Sequence, residues 1–253
     1  MECSKGEWGR GQQEVNLVHD AALRMADSHV VFKHAVKDLV ARHGKCVTFM
    51  PKYSPAEAGS SCHIHLSVWR GRTSVFHGGE SGRGAKYFRS FLGGLMKYAR
   101  ELCLLFAPTV NAYKRYQAAS WAPTRISWAR DNRTTSFRVV GKGNACRIEN
   151  RMPGADANPY LAFAACLAAG LAGVEERLDC GAPYRGNAYK DERLPVLPGS
   201  LAEATELFRR SKMARKAFGD SVVDFYARHA KLEAGAFNAA VTDWEKIRYF
   251  ERI

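Results

Sequence analysis

Apolar residues recur at helical spacing through DAALRMADSHVVFKHAVKDLVARHG, residues 20–44, and the pattern stops at Gly44, a residue suited to closing a helix. CVTFMP (46–51) and CHIHLSVW (62–69) predict strands, joined by a Gly/Ser-rich loop around Ala58–Ser61. AKYFRSFLGGLMKYARELCLLFAP predicts a second long helix ending before Pro108. Residues 124–151 predict several strands separated by polar turns. Asn158 followed by Pro159 suits the N-cap and first turn of a helix through the uncharged run 157–174. The tail is helical, with capping-box patterns at Ser200/Glu203 and Thr242/Glu245. Long helices flanking adjacent, antiparallel strands predict an α+β architecture. No repeat, low-complexity tract or linker divides residues 1–253, so a single domain is expected.

Composition narrows the class. Hydrophobic residues make up 46% and charged residues 25%, an ordinary globular balance. The formal net charge of +13 favours an anionic partner: nucleic acid, membrane headgroups or a phosphorylated small molecule. Seven scattered cysteines with no C-x-x-C pair predict reduced thiols in a cytoplasmic compartment. With Glu2, Lys5 and Glu7 at this terminus no signal peptide is expected there, and the run 157–174 predicts a helix buried in protein, not a membrane span.

Candidate chemistry gathers in three places. In EWGRGQQE, Glu7 and Glu14 bracket a loop containing Gly9 and Gly11. Two carboxylates brought together repel unless a cation lies between them, and magnesium or manganese is the usual one; a solvated turn is the other reading. In GSSCHIHLS, His63, His65 and Ser67 share one strand face, which suits either a site or an ordinary polar face. The third place is arginine-rich: Arg115, Arg125, Arg130, Arg133, Arg138, Arg147 and Arg151. In CRIENR, residues 146–151, Arg147, Glu149 and Arg151 alternate with Cys146, Ile148 and Asn150. As a strand, this stretch puts two guanidiniums and a carboxylate on one face. A carboxylate between arginines weakens a pure phosphate-binding surface. It makes sense if Glu149 holds a metal while the arginines hold phosphate and carboxylate oxygens, the layout of phosphoryl transfer. No helix-turn-helix, zinc-finger or RNP pattern supports nucleic acid, and neither nucleic acid nor membrane is expected as a partner.

GEWGRGQQEVN, GSSCHIHLS, NAYKRYQAASWAPTRISWARDNRTTSFRVVG, CRIENRMPGADANPYLAFAACLAAGL and VTDWEKIRYFERI occur in that order. Together they resemble the glutamine synthetases, specifically their catalytic domain, over nearly the whole chain. The resemblance implies a curved, largely antiparallel sheet flanked by long helices. It implies an ATP-dependent ligase that joins glutamate to an amine through γ-glutamyl phosphate, with Mg2+ or Mn2+ as cofactor. It also implies roles. Glu7 and Glu14 would bind the metal on the glutamate and amine side; His63 and Glu149 would bind the metal on the ATP phosphates. Arg115 and Arg151 would hold glutamate carboxylates or the acyl phosphate, and Gly59 would lie in the loop that contacts glutamate. Arg133 and Arg138 would be catalytic, binding phosphate and steadying the transferring group. Arg147, Glu2 and Ser67 would lie near the nucleotide.

The chain departs from the family pattern in three ways. Family members begin with a β-grasp domain and a Glu-x-Glu strand that supplies one more ligand to each metal. Met1 falls almost on the GEWGRGQQE motif, so the chain is expected to be the C-terminal portion of such an enzyme, inactive alone. The full-length parent would form a ring-shaped homo-oligomer. Trp121 stands where ammonia-using enzymes carry a glutamate, and Ala58 where they carry an asparagine. Both changes fall on the substrate side and resemble the branch containing γ-glutamylpolyamine synthetases, implying an organic amine substrate. Ordinary glutamine synthesis from ammonia, or a remnant acting only as a binding protein, are the alternatives.

Overall fold

The computed structural model describes residues 1–82 and 84–252. A hairpin opens the chain: β1 (Cys3–Gly6) pairs antiparallel with β2 (Gln13–Asn16). Helix α1 (Ala22–Arg42) follows and gives way to a left-handed Gly44, φ 64°, as the spacing predicts. Then come β3 (Ile64–Leu66) and a small hairpin of β4 (Trp69–Arg70) and β5 (Thr73–Ser74). Helices α2 (Ala85–Tyr98), α3 (Cys103–Phe106) and α4 (Val110–Tyr113) precede β6 (Trp128–Arg130), β7 (Phe137–Val140) and β8 (Arg147–Asn150). Among the described residues the α-helices that follow are α5 (Pro159–Glu175), α6 (Leu201–Arg210), α7 (Lys212–Phe218), α8 (Asp220–Ala239) and α9 (Asp243–Tyr249).

The architecture is α+β, with helices against a four-stranded sheet of order β3-β8-β7-β6. β8 runs antiparallel to both neighbours, while β6 and β7 are parallel. The short return between them, residues 131–136, starts at a left-handed Asp131, φ 49°, and is folded by the Asn132 side chain accepting from Thr134 N and Oγ1. One face of the sheet is apolar: Ile64, Phe137, Val139 and Ile148 are buried in the same core as Phe88 and Phe91 of α2 and Ala165 and Ala169 of α5. Each large side chain buried there contributes roughly 1.5–3 kcal/mol. Helices α2 and α5 meet backbone to backbone. A Cβ on Gly94 would lie 2.1 Å from the Ala169 carbonyl oxygen and 2.7 Å from Gly173 Cα. Glycine is required there by the close approach.

Two expectations need correction. Residues 46–51 form no strand: Val47 and Phe49 are half-buried, and Phe49 meets Phe32 of α1 edge-on. The long helix expected over residues 85–107 is broken after Tyr98. Arg100 reaches Glu203 at 3.0 Å and Glu101 accepts from Ser211, so bonds to the α6–α7 region outweigh helical continuation. The caps hold as read at α5, where the Asn158 side chain accepts from Tyr160 N, and at α9, a full capping box. At α6 only half the box forms: Ser200 accepts from Glu203 N, while Glu203 accepts from Gly199 N. No helix among the described residues is long and apolar enough to cross a membrane.

Candidate active site

The polar face of the sheet follows from the period of two. In register, His65 lies opposite Glu149, which lies opposite Arg138. Glu149 is 2% exposed, and three cationic or ionisable groups surround it. His63 Nδ1 is 3.0 Å from Oε1, Arg151 donates to Oε1 at 2.7 Å, and Arg138 donates to Oε2 at 3.2 Å. Arg138 is also held by Asp131 at 2.8 Å. Arg147 donates to His65 Nδ1 at 3.1 Å and to the Ala145 carbonyl. The sequence-predicted face of Arg147, Glu149 and Arg151 is therefore assembled, although Arg151 lies one residue past the strand.

Burial alone would push the Glu149 carboxyl up. The hydrogen bond from His63 and the charge of Arg151 outweigh it and hold Glu149 well below the usual carboxylate range. Burial, helped by the charge of Arg151, lowers His63 to about 4 despite its bond to Glu149. His63 is thus neutral at pH 7, and its Nδ1 carries the proton because an ionised carboxylate can only accept. Removing either guanidinium would leave a buried charge short of a partner, a costly state.

A neutral imidazole beside an obligate carboxylate fits a divalent cation, with manganese more tolerant than magnesium of a nitrogen donor. Among the described residues no group of three or more His, Cys, Asp or Glu gathers as a cation site. Two protein donors suit a metal that takes the rest of its shell from phosphate oxygens and water. At the other predicted metal position the fit is poorer. Lys5 sits between the two carboxylates, its Nζ 3.1 Å from Glu7 and 3.4 Å from Glu14. A resident ammonium fills the place where the sequence anticipates a cation, and a metal there must displace it.

The remaining candidates divide. Arg133 lies exposed in the β6–β7 return and makes no hydrogen bond or ion pair among the described residues. Arg115 is 2% exposed, and one of its amino groups donates to the carbonyls of Arg151, Met152 and Pro153. It braces the chain that carries Arg151, while its Nε and other amino group lack partners among the described residues. Gly59 packs on Arg115 so tightly that a Cβ would lie 2.7 Å from Arg115 Cγ and 2.8 Å from the Pro51 carbonyl oxygen. Glu2 extends the β1–β2 ladder, donating its N–H to Asn16, and Ser67 accepts from Trp69 Nε1; neither bond reaches Glu149.

Trp121 is joined to the centre through its main chain. Arg151 gives one amino group to Glu149 and donates the other to the Trp121 carbonyl at 3.0 Å. The indole is 58% exposed, and both Ala119 (φ 62°) and Trp121 (φ 60°) are left-handed. Two non-glycine residues in that region store strain of order 1–3 kcal/mol each, a pattern that clusters at ligand-binding loops. Sequence reading missed Lys5, the Arg151–Trp121 link and Gln12, whose side chain spans two loops. For Gln12 the signal was available, since it lies inside GQQE between the glutamates.

Comparison with known proteins shows the family. A family model described as glutamine synthetase, catalytic domain, matches residues 1–249. The gamma-glutamylethanolamide synthetase of Streptomyces coelicolor is 48% identical over 255 residues, covering 100% of this chain and 54% of that protein. The glutamate–isopropylamine ligase of a Pseudomonas species is 42% identical over 258 residues, covering 100% of the chain and 56% of the relative. A solved complex of GmaS with ADP superposes with a TM-score of 0.91 at 34% identity, covering 98% of this chain and 59% of that one. The chain spans about half the length of the curated relatives it matches.

Proposed function

The chain belongs to the glutamine synthetase family, and from that premise we propose that it supplies the nucleotide and metal side of an ATP-dependent ligase joining glutamate to an organic amine. The observation that carries the reading is Arg151, which holds Glu149 with one hand and the Trp121 loop with the other. It joins the phosphate side of the site to the side where the amine would enter.

The reaction has two steps. The glutamate side-chain carboxylate takes the γ-phosphoryl group of ATP, releasing ADP; the amine then attacks the acyl phosphate and expels phosphate. Arg138, fixed between Glu149 and Asp131, presents a preorganised charge to the transferring group. Arg133, without a partner among the described residues, would close on phosphate oxygens. Glu149 and His63 would hold Mg2+ or Mn2+, which neutralises phosphate charge when bound. Gly59 lets its loop approach Arg115, and Arg115 keeps the Arg151 segment in place. Arg147, on the strand face beside His65, would lie on the nucleotide side; its bond to His65 supports this reading.

At Trp121 an ammonium ion finds no carboxylate, whereas an organic amine gains apolar contact and about 0.5–2 kcal/mol of cation–π attraction. The ethanolamide and isopropylamine ligases among the relatives support this choice. Seven unpaired cysteines support a reducing compartment, the cytoplasm. Exposed Trp244, Ile247 and Phe250 on the last helix and its end support assembly with further subunits, as in a ring; sedimentation measures this.

The test is ADP formation with ATP, glutamate and a panel of amines, using the protein expressed with any coding sequence that precedes Met1. Ethanolamine, isopropylamine or putrescine should be preferred over ammonium by at least about tenfold in kcat/KM, roughly 1.4 kcal/mol. Trp121→Glu should move that ratio toward ammonium. Equal or better use of ammonium by the wild type overturns the organic-amine reading.

A further inference from the structure

We propose that Gln12 is a positioning residue that fixes the acidic hairpin against the Gly59 loop and so sets the width of the glutamate side of the site. The assignment to glutamate rests on the ligase reading above. The Gln12 amide uses both its ends. Its Oε1 accepts from Gly9 N at 3.0 Å, and its Nε2 donates to the Gly59 carbonyl at 3.0 Å and to Ser60 Oγ at 3.1 Å. The first bond folds the hairpin tip between Glu7 and Glu14. The other two bolt that tip to a loop 47 and 48 positions away in sequence. A second link runs alongside, from Arg10 N to Glu57 Oε2 at 3.1 Å. Gly9 is buried at the junction, where a Cβ would lie 3.1 Å from Gln12 Oε1 and 3.6 Å from Ala58 Cβ. Gly59 cannot retreat from the other side, because Arg115 and the Pro51 carbonyl close it off. The Gln12 amide is therefore the adjustable contact between two otherwise fixed walls.

An isosteric change tests this. Gln12→Glu keeps the acceptor for Gly9 but turns an anionic oxygen toward the Gly59 carbonyl, so the walls repel at unchanged side-chain size. Amide hydrogen exchange over residues 7–14 and 57–61 should accelerate together by at least about tenfold, with residues 137–150 unchanged. The Michaelis constant for glutamate should rise about tenfold, while that for ATP stays within twofold. Ser60→Ala, which removes one of the two bonds, should give the same pattern at smaller size. Unchanged exchange in both segments overturns the proposal. So does a parallel rise in both Michaelis constants with a lowered melting midpoint, which marks a merely structural role. If the wild type, expressed with any coding sequence that precedes Met1, turns over no glutamate with any amine, the ligase reading fails, and the exchange measurement still decides whether Gln12 joins the walls.

Discussion

Water scarcely reaches Glu149, and its charge persists because His63, Arg138 and Arg151 each bring a hydrogen bond to it. Arg133 and Arg138 carry similar charge in different settings, and that difference separates their variants. Arg138→Ala strips a partner from Glu149 and from Asp131, so turnover and melting midpoint should both fall. Arg133→Ala removes an exposed side chain, so stability should change by no more than about 0.5 kcal/mol. Turnover should still drop by roughly 3 kcal/mol, over a hundredfold, if it acts on the transferring phosphoryl group. Steady-state kinetics beside thermal melts check both; near-wild-type turnover in Arg133→Ala with a raised glutamate Michaelis constant would remove its assigned role. The cluster was legible in halves because side chains on a strand alternate: Arg147 and Glu149 share one strand's face and His63 and His65 another's, and the β3–β8 register joins the two. Lys5 between Glu7 and Glu14, and the Trp121 carbonyl on Arg151, were not. Both depend on where a loop's backbone turns, which no period encodes.

Helices α2 and α5 show how one element constrains another. In an exposed helix interior, Gly→Ala stabilises by about 1 kcal/mol. At Gly94 the sign should reverse, because the new Cβ meets backbone atoms on α5 that cannot rotate away. Overpacking of this kind costs about 1–3 kcal/mol, and each kcal/mol lowers the melting midpoint of a chain this size by about 2–4 °C. A Gly94→Ala variant melting at or above wild type would contradict the close contact. Helix α1 carries a different liability. Burial, helped by the charge of Lys33, lowers His29 to about 4, against 6.5 in a solvated chain. The unfolded chain takes up a proton below pH 6.5 and the folded one does not, so stability is lost as pH falls from 6.5 toward 4. The loss should be of order 1 kcal/mol between pH 6.5 and 5, after allowance for residual solvent contact. His63, lowered similarly, adds to the same slope. Urea unfolding at pH 7.5 and 5 should show His29→Leu losing less on acidification than wild type; an equal loss would exonerate His29. Helices and their caps were the readable elements, since periodicity and capping residues are local signals. The break after Tyr98 and the unpaired stretch 46–51 were not, because partners distant in sequence decided them.

Across the whole molecule, fold class followed from the alternation of helical and strand patterns, and the +13 charge pointed to an anionic ligand before any geometry was known. The parallel β6–β7 pair was hidden, since parallel strands ordinarily need a much longer crossover. That central sheet also carries an order of assembly. The Arg138–Glu149 contact closes a loop of 11 positions, whereas the Arg147–His65 contact closes one of 82. Loop-closure entropy makes the second about 2 kcal/mol harder to form from the open chain. The β7–β8 hairpin should therefore appear first during refolding, with Glu149 and Arg138 already together. β3 should dock later and bring His63 with it. Pulse-labelled hydrogen exchange would record protection at residues 137–140 and 147–150 before residues 64–66; simultaneous protection would refute the sequence of events. On this order a chain halted before β3 docks already holds Arg138 against Glu149 but not His63, so the pair proposed to hold the metal, Glu149 and His63, is completed last.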